Sequence, residues 1–161
     1  MNGTVLRAIL FTLTLTLPSV PSFSYAGIIT GPVISVLDGD TIEVLHNQRP
    51  ERIRLHGIDC PEKGQAYGTK AKQATSALVF GKEVTLQTYG MDKYGRTIAD
   101  VLQSDGANVN HELVKDGWCW WYRKYAPGDA TLERLEIEAR EAKRGLWADP
   151  TSIPPWEWRN R

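Results

Sequence analysis

Three short segments of this 161-residue chain concentrate carboxylates and arginines. The first is Asp38-Gly39-Asp40-Thr41. The second is Arg54-Leu55-His56-Gly57-Ile58-Asp59-Cys60-Pro61-Glu62, and the third is Asp92-Lys93-Tyr94-Gly95-Arg96. Carboxylates are hard oxygen donors of the kind that hold a divalent cation in irregular geometry. Arginine presents a planar, permanently charged fork that donates two parallel hydrogen bonds to a phosphate. Taken singly, each segment has a plainer explanation. Asp-Gly is a favoured turn, the second segment could be a strand that runs into a loop stopped by Pro61, and the third could be a turn with a surface arginine. Their occurrence together, in this order, asks for a common explanation.

Other chemistries find less support. The three histidines, His46, His56 and His111, are scattered, and the two cysteines, Cys60 and Cys119, form no CxxC, so no zinc site is expected. The formal net charge is zero. This excludes a nonspecific nucleic-acid coat protein, which needs an excess of Lys and Arg. It leaves room for an enzyme that holds a few phosphates locally and releases them.

The residues around the three segments alternate as strands do. Residues 33–37 are rich in β-branched side chains, and Asp38-Gly39 follows as a turn. Ile42 and Val44 share one face of a strand over 41–44, and residues 46–50 make a second turn. Over 52–56, Ile53 and Leu55 point inward and the basic residues outward. Val84 and Leu86 alternate with Thr85 and Gln87, and 96–102 is a fifth strand. Thr69 is expected to cap a helix carrying Ala71, Ala74 and Leu78 that stops at Gly81. A short helix covers Val109–Lys115. A third begins near Asp129 and aligns Leu132, Leu135, Ala139, Ala142 and Leu146 in one apolar stripe. Five short strands with a helix between the third and fourth predict a β-barrel plus α fold: a five-stranded OB-fold barrel with three packed helices. Such a fold does not by itself specify function.

Residues 1–26 read as a signal peptide. Arg7 precedes an apolar run over 8–20 that is broken by Pro18, and Ser24-Tyr25-Ala26 places small residues where a signal peptidase cuts. The run falls short of the roughly 18–20 residues that span a bilayer. Cleavage after Ala26 leaves 135 residues with 18 basic and 19 acidic side chains, enough for a full core. An exported monomer, periplasmic or secreted and free of the membrane, is expected. Its domain runs over 27–149 and an irregular tail over 150–161.

The three segments resemble the active-site segments of the staphylococcal (micrococcal) nuclease family. The match includes the spacing from Arg54 to Asp59 and Glu62, the Asp-Lys-Tyr-Gly-Arg run and the closing Gly145-Leu146-Trp147. It covers roughly the whole of the expected mature chain as far as Trp147. The resemblance implies Ca²⁺-dependent hydrolysis of phosphodiester bonds in DNA and RNA. It implies Asp40, Asp59 and the main-chain carbonyl of Cys60 as metal ligands, with Asp38 behind them. Arg54 would clamp the phosphate, Arg96 would stabilise the transition state, and Glu62 would act on water as general base or only order it. Lys93 and Tyr94 match residues that touch the terminal phosphate and the sugar or base. Two family tyrosines past the second helix fall here on Arg123 and Tyr125, and Tyr122 could replace the lost ring. A guanidinium also stacks on a base.

Three features depart from or extend the family pattern. The loop after Glu62 reaches the Tyr67-Gly68 pair in five residues, several fewer than in the best-known member, which would open the cleft. A cysteine stands at position 60, harmless to a ligand that is a carbonyl. The resemblance also brings the segment of Cys119 near the loop of Cys60, so in an oxidising compartment the two either pair or remain free. Some relatives keep the barrel as a non-catalytic binding module. Asp40, Arg54, Asp59, Glu62 and Arg96 are all present here, which favours the enzyme. The Trp156/Trp158 tail beside Arg159 and Arg161 is the best support for a third reading, an adhesion or envelope protein.

Overall fold

The computed structural model describes residues 26–161; apart from Ala26, the expected signal segment lies outside them. Alternation of apolar and polar residues builds the sheet. β1 (Gly27–Val36) buries Val33, β2 (Thr41–His46) buries Ile42 and Val44, and β3 (Arg49–Leu55) buries Ile53 and Leu55. The two-residue β4 (Ile58–Asp59) stands outside the barrel. β5 (Glu83–Met91) adds Val84 and Leu86, and β6 (Thr97–Leu102) adds Ala99 and Val101. β1 pairs with β2 on one side and β5 on the other, closing a five-stranded barrel in the order β1-β2-β3-β6-β5. β3 and β6 run parallel, with Arg54 opposite Ile98.

Two strands are longer than their alternation suggests. β1 begins at Gly27 because its first six residues pair with β5, although Gly31 and Pro32 are poor strand formers. Gly31 is needed there, since a Cβ would lie 2.3 Å from the Leu45 carbonyl oxygen. β5 continues to Met91 through an irregularity between Thr88 and Gly90, where Gly90 takes a φ of 123°.

The helices cover one end and side of the barrel. α1 (Gly68–Val79) is not capped by Thr69 as expected. Tyr67 occupies the cap in a left-handed conformation without a side-chain bond, and Thr69 sits inside the first turn. α2 (Val109–Lys115) is capped by Asn108, whose side chain accepts from the His111 N–H. The buried Asn110 locks this helix to the barrel: its amide donates to the His56 and Ala99 carbonyls and the Asp100 carboxylate, and its oxygen accepts from Val101 N–H. In α3 (Ala130–Glu141), the Asp129 carboxylate accepts from the N–H groups of Thr131 and Leu132. The apolar stripe was expected to run on to Leu146. Instead Lys143 and Gly145 adopt positive φ, and Leu146 is delivered by a separate 3-10 turn, Gly145–Ala148. The tail, expected to be irregular, contains one turn of helix, α4 (Pro155–Trp158), with Pro155 buried.

A second small sheet ties the helical side to the strands. β7 (Trp120–Trp121) pairs antiparallel with β4, Asp59 opposite Trp120. Beside this pairing Cys60 and Cys119 form a disulfide with their Cα atoms 4.2 Å apart. That resolves the cysteine alternative in favour of the bond.

Candidate active site

Asp40, Arg54 and Asp59 converge where the loop before β2, the end of β3 and β4 meet. The loop that carries Asp40 is fixed from three directions. Its own N–H donates to Asp38 Oδ1 at 3.1 Å, the Gly39 carbonyl accepts from Thr75 Oγ1 of α1 at 2.6 Å, and Asp40 Oδ2 accepts from Cys60 N–H at 2.7 Å. Gly39 admits no side chain, because a Cβ would meet the Cβ atoms of Cys60 and Ala71 at 2.7 and 2.9 Å. Arg54 is aimed at the same point. Its Nη1 donates to the Leu55 and Ile58 carbonyls, both at 2.8 Å. Its Nη2 lies 3.2 Å from Asp40 Oδ2 and 3.0 Å from Asp59 Oδ1. One nitrogen therefore bridges the two carboxylates, which are both buried.

Burial raises the proton affinity of Asp38 and Asp59. Burial pushes the Asp38 carboxyl up to about 6, helped by the charge of Asp40. Asp59 is also raised, burial outweighing the hydrogen bond from Arg159. The donor set, buried carboxylate oxygens with backbone oxygens nearby, fits a hard divalent cation. Among the described residues no three acidic, histidine or cysteine side chains form a closed cluster for a metal. A cation here would need main-chain oxygen and water in addition to the side chains.

Glu62 lies at the mouth of this centre. Its N–H donates to Gln65 Oε1 at 2.9 Å, and Gly68 packs so tightly under the loop that a Cβ there would lie 2.1 Å from the Glu62 carbonyl oxygen. Arg54 is carried by β3, and Arg96 directly precedes the neighbouring β6, whose Ile98 is the register partner of Arg54. The Asp92 carboxylate folds the turn before β6, accepting from Tyr94 N–H, Arg96 N–H and Arg96 Nε at 2.9, 3.0 and 2.7 Å. Burial alone would raise the Asp92 carboxyl, but these bonds and the arginine charge hold it below its ordinary value.

The expected nucleotide-contacting residues divide. Lys93 and Arg96 both lie over the Tyr94 ring, at 5.0 and 5.4 Å, and Tyr94 is exposed. Tyr125 is exposed and meets Tyr122 edge-on at 4.9 Å. Arg123 is instead engaged with the protein: it pairs with the buried Glu136 at 3.2 Å and lies over Trp121 at 4.2 Å. Glu136 also accepts from Trp121 N–H, so Arg123 helps to hold β7.

One residue at the site escapes sequence reading. Arg159, from the tail, donates Nη1 and Nη2 to Asp59 Oδ1 and Oδ2 at 3.2 and 2.8 Å and Nη1 to Glu62 Oε1. It lies 100 residues beyond Asp59 and outside any periodic element, so no local pattern points to it. The tail is seated by the Gln65 amide, which donates to the Ile153 carbonyl at 2.7 Å, and by Trp156, stacked on Tyr122 with ring centroids 5.1 Å apart.

Comparison with known proteins agrees with this geometry. Residues 52–149 match the family of staphylococcal nuclease homologues. That stretch holds Arg54, Asp59, Glu62 and Arg96, but neither Asp40 nor the tail. A protein of Escherichia coli named an uncharacterized endonuclease is 47% identical over 133 residues, covering 83% of this chain and 86% of its own. A micrococcal nuclease of Shigella flexneri is 44% identical over 138 residues, covering 80% and 79%. An uncharacterized endonuclease of Haemophilus influenzae is 40% identical over 130 residues, covering 80% and 72%. With this match over most of the chain, on a closed barrel that brings Asp40, Arg54 and Asp59 together, the protein belongs to the staphylococcal nuclease family.

Proposed function

We propose that the protein is an exported, calcium-dependent nuclease that hydrolyses phosphodiester bonds in DNA and RNA and acts as a monomer. The observation that carries the reading is the convergence of Asp40 and Asp59 on a single nitrogen of Arg54, with Glu62 at the mouth of the same centre. Asp40 and Asp59, with the carbonyl of Cys60, would hold Ca²⁺, which when bound supplies Lewis-acid polarisation of a phosphoryl oxygen and a template for the attacking water. Arg54 is pinned by two carbonyls and two carboxylates, so its position is set before substrate arrives. Two of these partners, Asp40 and Asp59, are the proposed metal ligands, so with the cation on them Nη2 of Arg54 would be released to clamp the phosphate.

Arg96 donates Nε to Asp92, and among the described residues its two terminal nitrogens make no hydrogen bond to the protein. Those nitrogens are free to meet charge that gathers on the phosphoryl oxygens in the transition state. Glu62 receives a proton from water or orders that water for in-line attack. Lys93 and Tyr94 on the exposed turn, and Tyr125 beside Tyr122, contact the flanking nucleotide. Signal cleavage after Ala26 would deliver the chain to the periplasm or the medium. The test is cleavage of labelled single-stranded DNA by purified protein with Ca²⁺, then with excess chelator. Cleavage only with Ca²⁺ is expected. Full activity in chelator would refute the metal assignment.

A further inference from the structure

The tail does more than pass near the active centre: Arg159 enters it, and Trp156 packs on the neighbouring Tyr122. Arg159 places a bidentate guanidinium on both oxygens of Asp59 and reaches Glu62 with the same Nη1. The Asp59 side chain is only 2% exposed, and Arg159 covers it from the solvent side. Trp156 stacks face to face on Tyr122, whose ring also meets Tyr125, the proposed nucleotide contact, edge-on. A positive group therefore sits on two of the acids, and an aromatic ring covers a stacking surface.

We propose that the C-terminal tail is an intramolecular occupant of the active centre, with Arg159 standing where the divalent cation binds and Trp156 where a base stacks, so that metal and substrate must displace it. The proposal rests on the calcium reading given above. A guanidinium and a Ca²⁺ ion both seek the Asp59 oxygens, and the two cannot bind the same face of one carboxylate. The tail is built to leave. It holds one turn of helix, its Trp158 is exposed, and a cavity of about 160 Å³ lined by Pro61, Gln65, Tyr67, Trp120, Ile153 and Trp158 lies beneath it. Segments with so little buried apolar surface open at low free-energy cost. Asp59 and Glu62 keep a partner in the absence of the metal, and the ion pairs that hold the tail are lost once the metal takes those oxygens.

The test is calorimetric titration of Ca²⁺ into metal-free full-length protein without nucleic acid, comparing the parent with Arg159→Gln and Arg161→Gln. Arg161 lies over Trp158 at 5.8 Å and is the charge control. Arg159→Gln should bind Ca²⁺ about tenfold more tightly, the factor expected if the tail leaves the centre free in about one molecule in ten. Arg161→Gln should match the parent. Tryptophan fluorescence of the parent should change on Ca²⁺ addition as Trp156 unstacks, and the Arg159 variant should begin near that endpoint. Parent-like or weaker affinity in Arg159→Gln would overturn the proposal and leave the calcium site standing. An equal gain in Arg161→Gln would reduce the effect to net charge and overturn it too. No Ca²⁺ binding by any of the three proteins would overturn the metal reading and the tail proposal together.

Discussion

Removing the Cys60–Cys119 bond by the double change Cys60→Ala/Cys119→Ala has a size that follows from its place in the chain. The bond closes a loop with a sequence separation of 59. For a loop of that length the chain-entropy estimate is about 4 kcal/mol of stability, through restriction of the unfolded state. For a domain of this size, at roughly 3 °C per kcal/mol, that corresponds to a fall in Tm of roughly 12 °C. The loss should also reach the site, because Cys60 N–H is the donor that latches the Asp40 carboxylate at 2.7 Å and β4 carries Asp59 next to the cross-link. Urea unfolding followed by tryptophan fluorescence gives the stability change, and calorimetry gives Ca²⁺ affinity. The expected result is a lower urea midpoint together with weaker Ca²⁺ binding. An unchanged midpoint and slope, or two titratable thiols in the unfolded, unreduced parent, would refute the reasoning.

Arg96→Lys keeps the charge but loses the planar fork, so kcat should fall by about 10²-fold or more while the fold persists; Arg134→Lys, in an exposed pair with Glu138, should leave single-turnover rates unchanged. Asp92 titrates below its ordinary value of 3.8, so the turn it folds is supported above that pH and loses this support as pH falls through the lower native value. An NMR titration should place its midpoint below 3.8 in the parent and shift it upward in Arg96→Lys, which lacks the Nε donor; equal midpoints would count against that assignment. Gly39→Ala drives a Cβ to 2.7 Å from Cys60 and 2.9 Å from Ala71, and with neither neighbour free to retreat it should cost about 1–3 kcal/mol, read as a lower urea midpoint.

The barrel and most of its site were legible because their signals are local. Ile53 and Leu55 alternate with Arg52 and Arg54, and that period of two places the arginines outside and the apolar residues in the core. α2 matched its expected bounds because Gly117 follows it and its apolar residues repeat. What stayed hidden is decided by tertiary contact. The first residues of β1 are strand only because β5 lies beside them. Two-residue strands such as β4 and β7 are too short to show a period. The stop of α3 before Leu146 depends on Lys143 at a φ of 51°, which its residue type does not announce. The pairing of Arg123 with Glu136 is equally hidden, because Glu136 is buried on α3 among residues whose charges read as a solvated face. Arg159 reaches Asp59 only because the chain folds back along Trp120 and Tyr122.

β3 is the one strand that pairs antiparallel with β2 and parallel with β6 while alternating core residues with Arg52 and Arg54. A one-residue slip of this strand would turn Ile53 and Leu55 to solvent and drive both arginines into the barrel. No misregistered form could then keep Arg54 near Asp40 and Asp59. During refolding, recovered catalysis would count only molecules in the native register, so it should lag behind recovery of secondary structure and coincide with closure of the barrel.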